Sequence, residues 1–155
     1  MKINWKEQGF EELKIAELYA ILRLRQQVFI VEQQCIYQDC DGRDEKAHHL
    51  TGCYEVKDLL QPIAYLRIFY PEKASNSISI GRVLTHPNFR RKGLGRKIMT
   101  QCLLNIEKRY PESAIIISAQ QYLIGFYESF NFHISSEEYL EDGIPHIRMT
   151  RHSCK

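Results

Sequence analysis

Apolar residues recur along this chain with two different periods. Between residues 13 and 32 the spacing is helical, with Leu18, Ile21, Leu22, Val28 and Phe29 as its apolar positions. At about 100° per residue, Leu18, Leu22 and Phe29 fall at the centre of the apolar face, and Arg25 and Glu32 fall on that same centre. Charged side chains are rarely buried without partners, so these two are expected to point into the fold or into a cleft. Residues 33–47 then read as an irregular acidic loop. Residues 48–56 and 63–70 are strand-like, joined by a turn from Lys57-Asp58 to Pro62; Pro71–Asn76 is a loop, and Ser77–Thr85 is a third strand closed by Pro87.

The period then changes. Ile98, Cys102 and Ile106, with Met99 and Leu103, repeat at helical spacing, and Pro111 stops that helix. Ala114–Ala119 is a short apolar run of the kind that forms a buried strand. Residues 121–130 carry a second helical stripe of Leu123, Phe126, Tyr127 and Phe130, followed by Asn131, where a left-handed cap is expected. Residues 132–139 and 144–150 are strands around the turn Glu141-Asp142-Gly143. The order helix, three strands, helix, strand, helix, two strands predicts one mixed α/β sheet with helices packed on it.

Composition narrows the class. The chain has 155 residues, 44% apolar and 26% charged, without repeat, low-complexity tract or linker, so one domain over residues 1–155 is expected. The net charge of +2 is too small to argue for nucleic acid or a membrane surface. No apolar run approaches the roughly 20 residues of a membrane span. The polar start Met1-Lys2-Ile3-Asn4-Trp5-Lys6 does not read as a signal peptide. Five irregularly spaced cysteines fit reduced thiols and a cytoplasmic setting better than a disulfide framework. Cys35, Cys40, His48 and His49 match no usual zinc spacing, and Asp39-x-Asp41-Gly42 lacks the later ligands of a calcium loop, so no metal is expected.

The chemistry concentrates between Gly81 and Lys97. A strand ends, a glycine loop follows, and a helix begins; Arg90, Arg91, Lys92, Arg96 and Lys97 place five cations in eight residues. A helix N-terminus offers unpaired N–H groups and partial positive charge, and glycine lets a phosphate approach them. A pyrophosphate is therefore the natural guest. The Walker pattern is absent, and the third glycine of the dinucleotide fingerprint is replaced by Ile98.

Arg90-x-x-Gly93-x-Gly95 after a strand resembles motif A of the GNAT superfamily of N-acetyltransferases. The strand Ile115–Ala119, then Gln120, then Phe126-Tyr127-x-x-Phe130-Asn131-Phe132 resembles its second hallmark, with Asn131 where the family usually has glycine. Leu24-Arg25-x-x-Val28-Phe29-x-Val31-Glu32-Gln33, Asp41-Gly42-x-Asp44, His49-Leu50, Gly81-Arg82-Val83 and Glu141-Asp142-Gly143-Ile144-Pro145-His146-Ile147-x-Met149 are similar to the ElaA group of that superfamily. The resemblance spans nearly the whole chain. It implies a mixed, mostly antiparallel sheet, splayed between two middle strands, with helices on both faces. It also implies acetyl-coenzyme A as co-substrate. The pyrophosphate would lie on Arg90, Arg91, Lys92, Gly93, Leu94, Gly95 and Arg96, the pantetheine arm beside Val83 and Leu84 at a strand bulge, and Gln120 nearby.

Acyl transfer from a thioester to an amine needs a free-base amine, an oxyanion donor and a proton for the leaving thiolate. An alkylamine of pKa about 10.4 is only about one part in a thousand free base at neutral pH. The resemblance places the oxyanion donor at the Val83 or Leu84 N–H and the acid at Tyr127, whose other reading is a packed core tyrosine. Glu32 is the candidate base or amine anchor, or else part of a structural ion pair. Arg25, Glu32, Asp41 and His146 are the candidate acceptor-side residues. His48 and His49 face opposite sides of their strand, so only one of them can face a site. Asp39, Asp41, Asp44 and Glu45, with Glu137, Glu138, Glu141 and Asp142, form two acidic groups expected at the acceptor end, which favours a cationic small-molecule or protein amine. The competing readings are a non-catalytic acyl-coenzyme A sensor and, last, a nucleic-acid binder. No membrane partner is expected, and the chain is expected to be a monomer or homodimer.

Overall fold

The computed structural model describes residues 1–57, 59–73 and 77–153; the turn expected at Asp58 and the end of the loop expected at 71–76 lie outside these residues. The alternating stretches pair into one eight-stranded sheet. Its order is β1 (Asn4–Gly9), β2 (His48–Val56), β3 (Leu59–Phe69), β4 (Ile78–Thr85), β5 (Ile115–Gln120), β8 (Ile144–Arg151) and β6 (His133–Ile134), with β7 (Tyr139–Glu141) also on β8. Among the described residues, only β4 and β5 pair in parallel. The helices are α1 (Ile15–Arg25), α2 (Leu94–Arg109) and α3 (Ile124–Glu128).

Strand β3 shows why helices cover both faces. Successive side chains alternate across a sheet. Ala64, Leu66 and Ile68 join Ile98, Met99, Cys102 and Ile106 of α2 in the larger core. Tyr65 points the other way and packs with Ile21, Leu24, Val28 and Leu84. Each fully buried aliphatic side chain contributes about 1.5–3 kcal/mol. A strand covered on both faces loses the half-exposed alternation, and residues 63–68 are all buried. The charged Arg67 lies inside that run.

Three sequence expectations need correction. A strand precedes the first helix: β1 is a polar edge strand whose Trp5 lies across Gly52, where even a Cβ would come within 2.5 Å of the indole. The strand expected at 132–139 is two short pieces, β6 and β7, that both pair with β8. The helix expected at 13–32 is α-helical only to Arg25 and continues as a π-helical stretch, Gln26–Glu32. The buried stripe is Ile21, Leu24, Arg25 and Val28, while Leu18, Leu22 and Phe29 are partly exposed. A π turn bonds i to i+5 and advances each residue by less than an α-helix does. Glu32 therefore rotates away from the face that Arg25 occupies; it is exposed but lines the cavity described below, as the cleft expected for it requires.

Candidate active site

The site begins where two strands part. β4 and β5 pair only over Ile78–Ile80 and Ile115–Ile117, then diverge. On β3, Tyr65 faces Leu84 and Arg67 faces Gly81, so the single residue Leu66 stands against both Arg82 and Val83. This bulge bends β4 away from its neighbour. Arg82 takes a φ of 55°, uncommon for a side-chain-bearing residue. Its guanidinium is held by Asp39 at 2.7 Å. β5 meanwhile stays with β8 to the end, Gln120 against His146. A cavity of about 560 Å³ opens between the parted strands.

One end of the cavity is the glycine loop. Arg91 and Gly93 both have positive φ, 60° and 71°, and Gly93 is the N-cap of α2. The buried Leu94 pins the helix start to the core, which leaves the first-turn N–H groups without intrahelical acceptors. Val83, Leu84, Arg90, Gly95 and Gln120 line the cavity. Arg91, Lys92 and Gly93 stand on the exposed loop beside it, and Arg96 on the exposed first turn of α2. Arg96 bonds Ser129 Oγ at 2.9 Å, and Arg90 meets Glu32 at 2.6 Å. Glu32 therefore faces the basic loop rather than the opposite end.

Tyr127 lines the cavity from α3 and is 4% exposed. Phe126 and Phe132 pack edge-on against its ring, at centroid distances of 5.1 and 6.0 Å. Its hydroxyl has no hydrogen-bond partner among the described residues. Burial pushes the phenol well above its ordinary pKa, so it is a neutral donor at physiological pH. His146 lines the same cavity. Its Nδ1–H donates to the Ile144 carbonyl at 2.7 Å, and Nε2 lies 3.2 Å from the Glu141 carboxylate. The His146 ring stacks on Tyr139, whose hydroxyl is hydrogen-bonded to Ser118.

The acidic loop is not the open rim expected of it. Arg25 is fully buried; it donates to Asp39 at 2.8 Å, to Asp44 at 2.7 Å and to the Asp39 carbonyl at 2.9 Å. Its donors are spent inside the protein, so it does not reach a substrate. Asp41 is clamped by Arg67 and lies 3.6 Å from Arg82; the hydrogen bond from Arg67 holds its carboxyl well below the usual range. Asp39 and Asp44 are buried. These carboxylates are neutralised internally, and neither they nor Glu45 line the cavity. Of the second acidic group, only Glu141 and Asp142 line the cavity. His48 and His49 do face opposite sides: His48 meets Glu7, while His49 bridges the Tyr65 hydroxyl and the Asp44 carbonyl.

The sequence reading missed Arg43, Arg67 and Phe69 as lining residues. A charge inside the apolar run 63–68 was the available signal for Arg67. Among the described residues, no group of three or more His, Cys, Asp or Glu gathers as a metal site, and no helix is long and apolar enough to cross a membrane.

A family model for the acetyltransferase (GNAT) domain matches residues 25–153. A UPF0039 protein of Synechocystis sp. is 40% identical over 149 residues, 96% of this chain and 95% of that protein. Protein ElaA of Escherichia coli is 38% identical over 151 residues, 96% of each chain. The crystal structure of Escherichia coli ElaA superposes with a TM-score of 0.87 at 37% identity, over 97% of this chain and 100% of that one. An acyl-CoA N-acyltransferase from Pseudomonas aeruginosa also superposes with a TM-score of 0.87, at 38% identity, over 97% and 99% of the two chains.

Proposed function

The chain belongs to the GNAT acetyltransferase family, and from that membership we propose that it is an N-acyltransferase that moves an acetyl or other short acyl group from acyl-coenzyme A to a primary amine in a ternary complex. One observation carries the reading: the cavity runs from the glycine N-terminus of α2, along the freed edge of β4, to Tyr127. Phosphate, extended arm and reacting centre of an acyl thioester find complementary protein groups in that order. The name of the Pseudomonas aeruginosa relative supports the same co-substrate.

The roles follow from position. The amides around Gly93, Leu94 and Gly95, with Arg90, Arg91, Lys92 and Arg96, take the pyrophosphate. Val83 and Leu84 offer backbone hydrogen bonds to the arm beside Gln120, and one of their N–H groups stabilises the oxyanion. The amine nitrogen bonds to the thioester carbon, the C–S bond breaks, and Tyr127 gives its proton to the departing thiolate. The proton lost by the amine passes to His146 Nε2, directly or through water, where Glu141 stabilises the resulting imidazolium. Glu32 belongs to the cofactor end through Arg90. Arg25 and Asp41 act as supports for the loop that walls the acceptor end.

Incubation with acetyl-coenzyme A and a mixture of amines tests this. Thiol release should require an amine and match, mole for mole, the N-acetyl product found by mass spectrometry. Tight acetyl-coenzyme A binding with no turnover on any amine would favour a sensing domain instead.

A further inference from the structure

The arginines along the cavity are balanced inside the protein, with one exception among the described residues. Arg25, Arg67 and Arg82 are matched by Asp39, Asp41 and Asp44. Arg90 is matched by Glu32. Arg43 lines the cavity from the same loop as Asp41 and Asp44, and no carboxylate of the described residues pairs with it. Its guanidinium lies over the Phe69 ring, 4.4 Å from the centroid. Arg67 approaches that same ring at 5.0 Å. Arg67 is 3% exposed, and its Nε is a buried donor with no hydrogen-bond partner. Arg67 gives both terminal nitrogens to Asp41 and Asp44, so Nε is its one unspent donor, whereas the Arg43 guanidinium pairs with no carboxylate of the described residues. A guanidinium resting on an aromatic ring, as Arg43 does on Phe69, keeps its fork of N–H donors free for a carboxylate.

The place of this pair in the fold fixes what it would hold. Phe69 pairs with Ser79 and Arg67 with Gly81, ahead of the bulge, whereas Val83 and Leu84 lie beyond it toward the glycine loop. The pair is therefore at the end of the cavity remote from the phosphate loop. From Ser79 to Arg82 the strand runs three residues, about 10 Å. We propose that Arg43 and Arg67 on Phe69 form a carboxylate subsite for the acceptor, so that the favoured substrate is an amine bearing a distant carboxylate, an ω-amino acid. An α-amino acid holds its two groups too close together to span the subsite and the bulge. A diamine would place a second cation beside Arg43. The inference rests on the amine-acylation reading for the identity of the second group.

The test uses an ω-amino acid, the n-alkylamine of equal length, the matching α,ω-diamine and an aminoalkyl phosphate, in turnover assays and in calorimetric titrations of the coenzyme A-loaded protein. The ω-amino acid should show a KM at least about tenfold below that of the alkylamine and the phosphate. Arg43→Gln should erase that advantage while leaving kcat, and the KM of the alkylamine, within about twofold. Arg43 is exposed, so this variant should fold; Phe69→Leu, which removes the platform, should weaken the same preference. Equal or better use of the diamine or alkylamine, or a uniform loss across all acceptors in Arg43→Gln, would overturn the subsite. Preference for the phosphate would overturn the carboxylate assignment. Carboxylate-dependent, Arg43-dependent binding without turnover would sustain the subsite and overturn the acyl-transfer reading.

Discussion

Tyr127→Phe separates catalysis from packing at the centre of the site. The substitution keeps the ring and its edge-on contacts with Phe126 and Phe132. It removes a hydroxyl that has no hydrogen-bond partner among the described residues, so no internal bond is lost with it. Stability should not fall, because the hydroxyl lost has no internal partner to leave unsatisfied. A proton donor to the leaving thiolate contributes about 10²-fold or more to the rate. At 1.36 kcal/mol per decade, that is about 2.7 kcal/mol of activation free energy. The expected result is a kcat lower by about 10²-fold, with acetyl-coenzyme A affinity and melting temperature unchanged. A thioester whose thiol has a lower pKa needs less help to leave, so it should recover part of the loss. Thiol release at saturating acceptor, calorimetry and thermal unfolding measure the three quantities. A kcat within about threefold of the parent, or a thioester series with no recovery, would refute the role. A fall in kcat that tracks a fall in melting temperature would make Tyr127 a core residue.

Other consequences follow from the same geometry. Gly93→Val places a β-branched residue at φ 71°, where the added Cβ itself meets nothing within 4 Å, so its cost is backbone strain of about 1–2 kcal/mol. Calorimetry on the folded variant should also show coenzyme A affinity weaker by about tenfold or more, and unchanged affinity would misplace the pyrophosphate. Arg25→Met removes the buried partner that Asp39 and Asp44 share and leaves them to Arg82 and Arg67, and chemical denaturation should report a loss of about 3 kcal/mol, the lower end for a broken buried pair. Glu32→Gln breaks only the half-exposed pair with Arg90, so the same assay should report about 1 kcal/mol or less. Equal losses would show that burial does not set the weight of these pairs. Stability should also depend on pH at both extremes. Asp41 and Asp44 are depressed chiefly by their arginines against the opposing pull of burial, so their contribution is present above about pH 4 and is lost as pH falls further. The phenols of Tyr65, Tyr70 and Tyr127 are raised by burial, so the folded state loses ground as pH rises above about 10, where the unfolded chain ionises. A flat profile of unfolding free energy across both limits would contradict these assignments.

The sequence made the glycine-loop end of the site legible because its signal is local. Gly93, Gly95 and the flanking cations must be close in sequence to cap one helix, and they stand at the start of α2 as expected. Asn131 likewise takes the left-handed φ of 64° that its position after the stripe predicted. The alternation of β2 and β4 and the stripe of α2 depend only on which side faces the core. β1 escaped notice because an edge strand need bury little, and Asn4–Gly9 carries one large apolar residue. The turn of Glu32 away from Arg25 escaped because a π stretch leaves no mark in composition. Only the hydrogen-bond pattern of Gln26–Glu32 reveals it.

The opposite end of the cavity was illegible for a different reason. A run such as Asp39, Asp41, Asp44 and Glu45 reads the same whether solvated or buried, since sequence distance says nothing of what lies across the fold. The partners come from far away: Arg25 from α1, Arg67 from β3 and Arg82 from the bulge on β4. Desolvating such pairs cancels much of their attraction, so the network is a weak source of net stability. It does fix geometry. Each arginine belongs to a different element, and the loop binds all three, which holds Arg43 and Tyr37 against the cavity wall. The bulge residue Arg82 shares Asp39 with Arg25, so the strand distortion that opens the cavity and the loop that closes its acceptor end are tied to one carboxylate. A change at Asp39 should therefore disturb cofactor and acceptor binding together, whereas a change at Arg43 should disturb the acceptor alone. Asp39→Asn, compared with Arg43→Gln by calorimetry for both ligands, distinguishes this coupling from two independent sites. Parallel losses for Asp39→Asn with an acceptor-only loss for Arg43→Gln support it. An acceptor-only loss in both variants would show that the bulge holds its shape without the shared carboxylate.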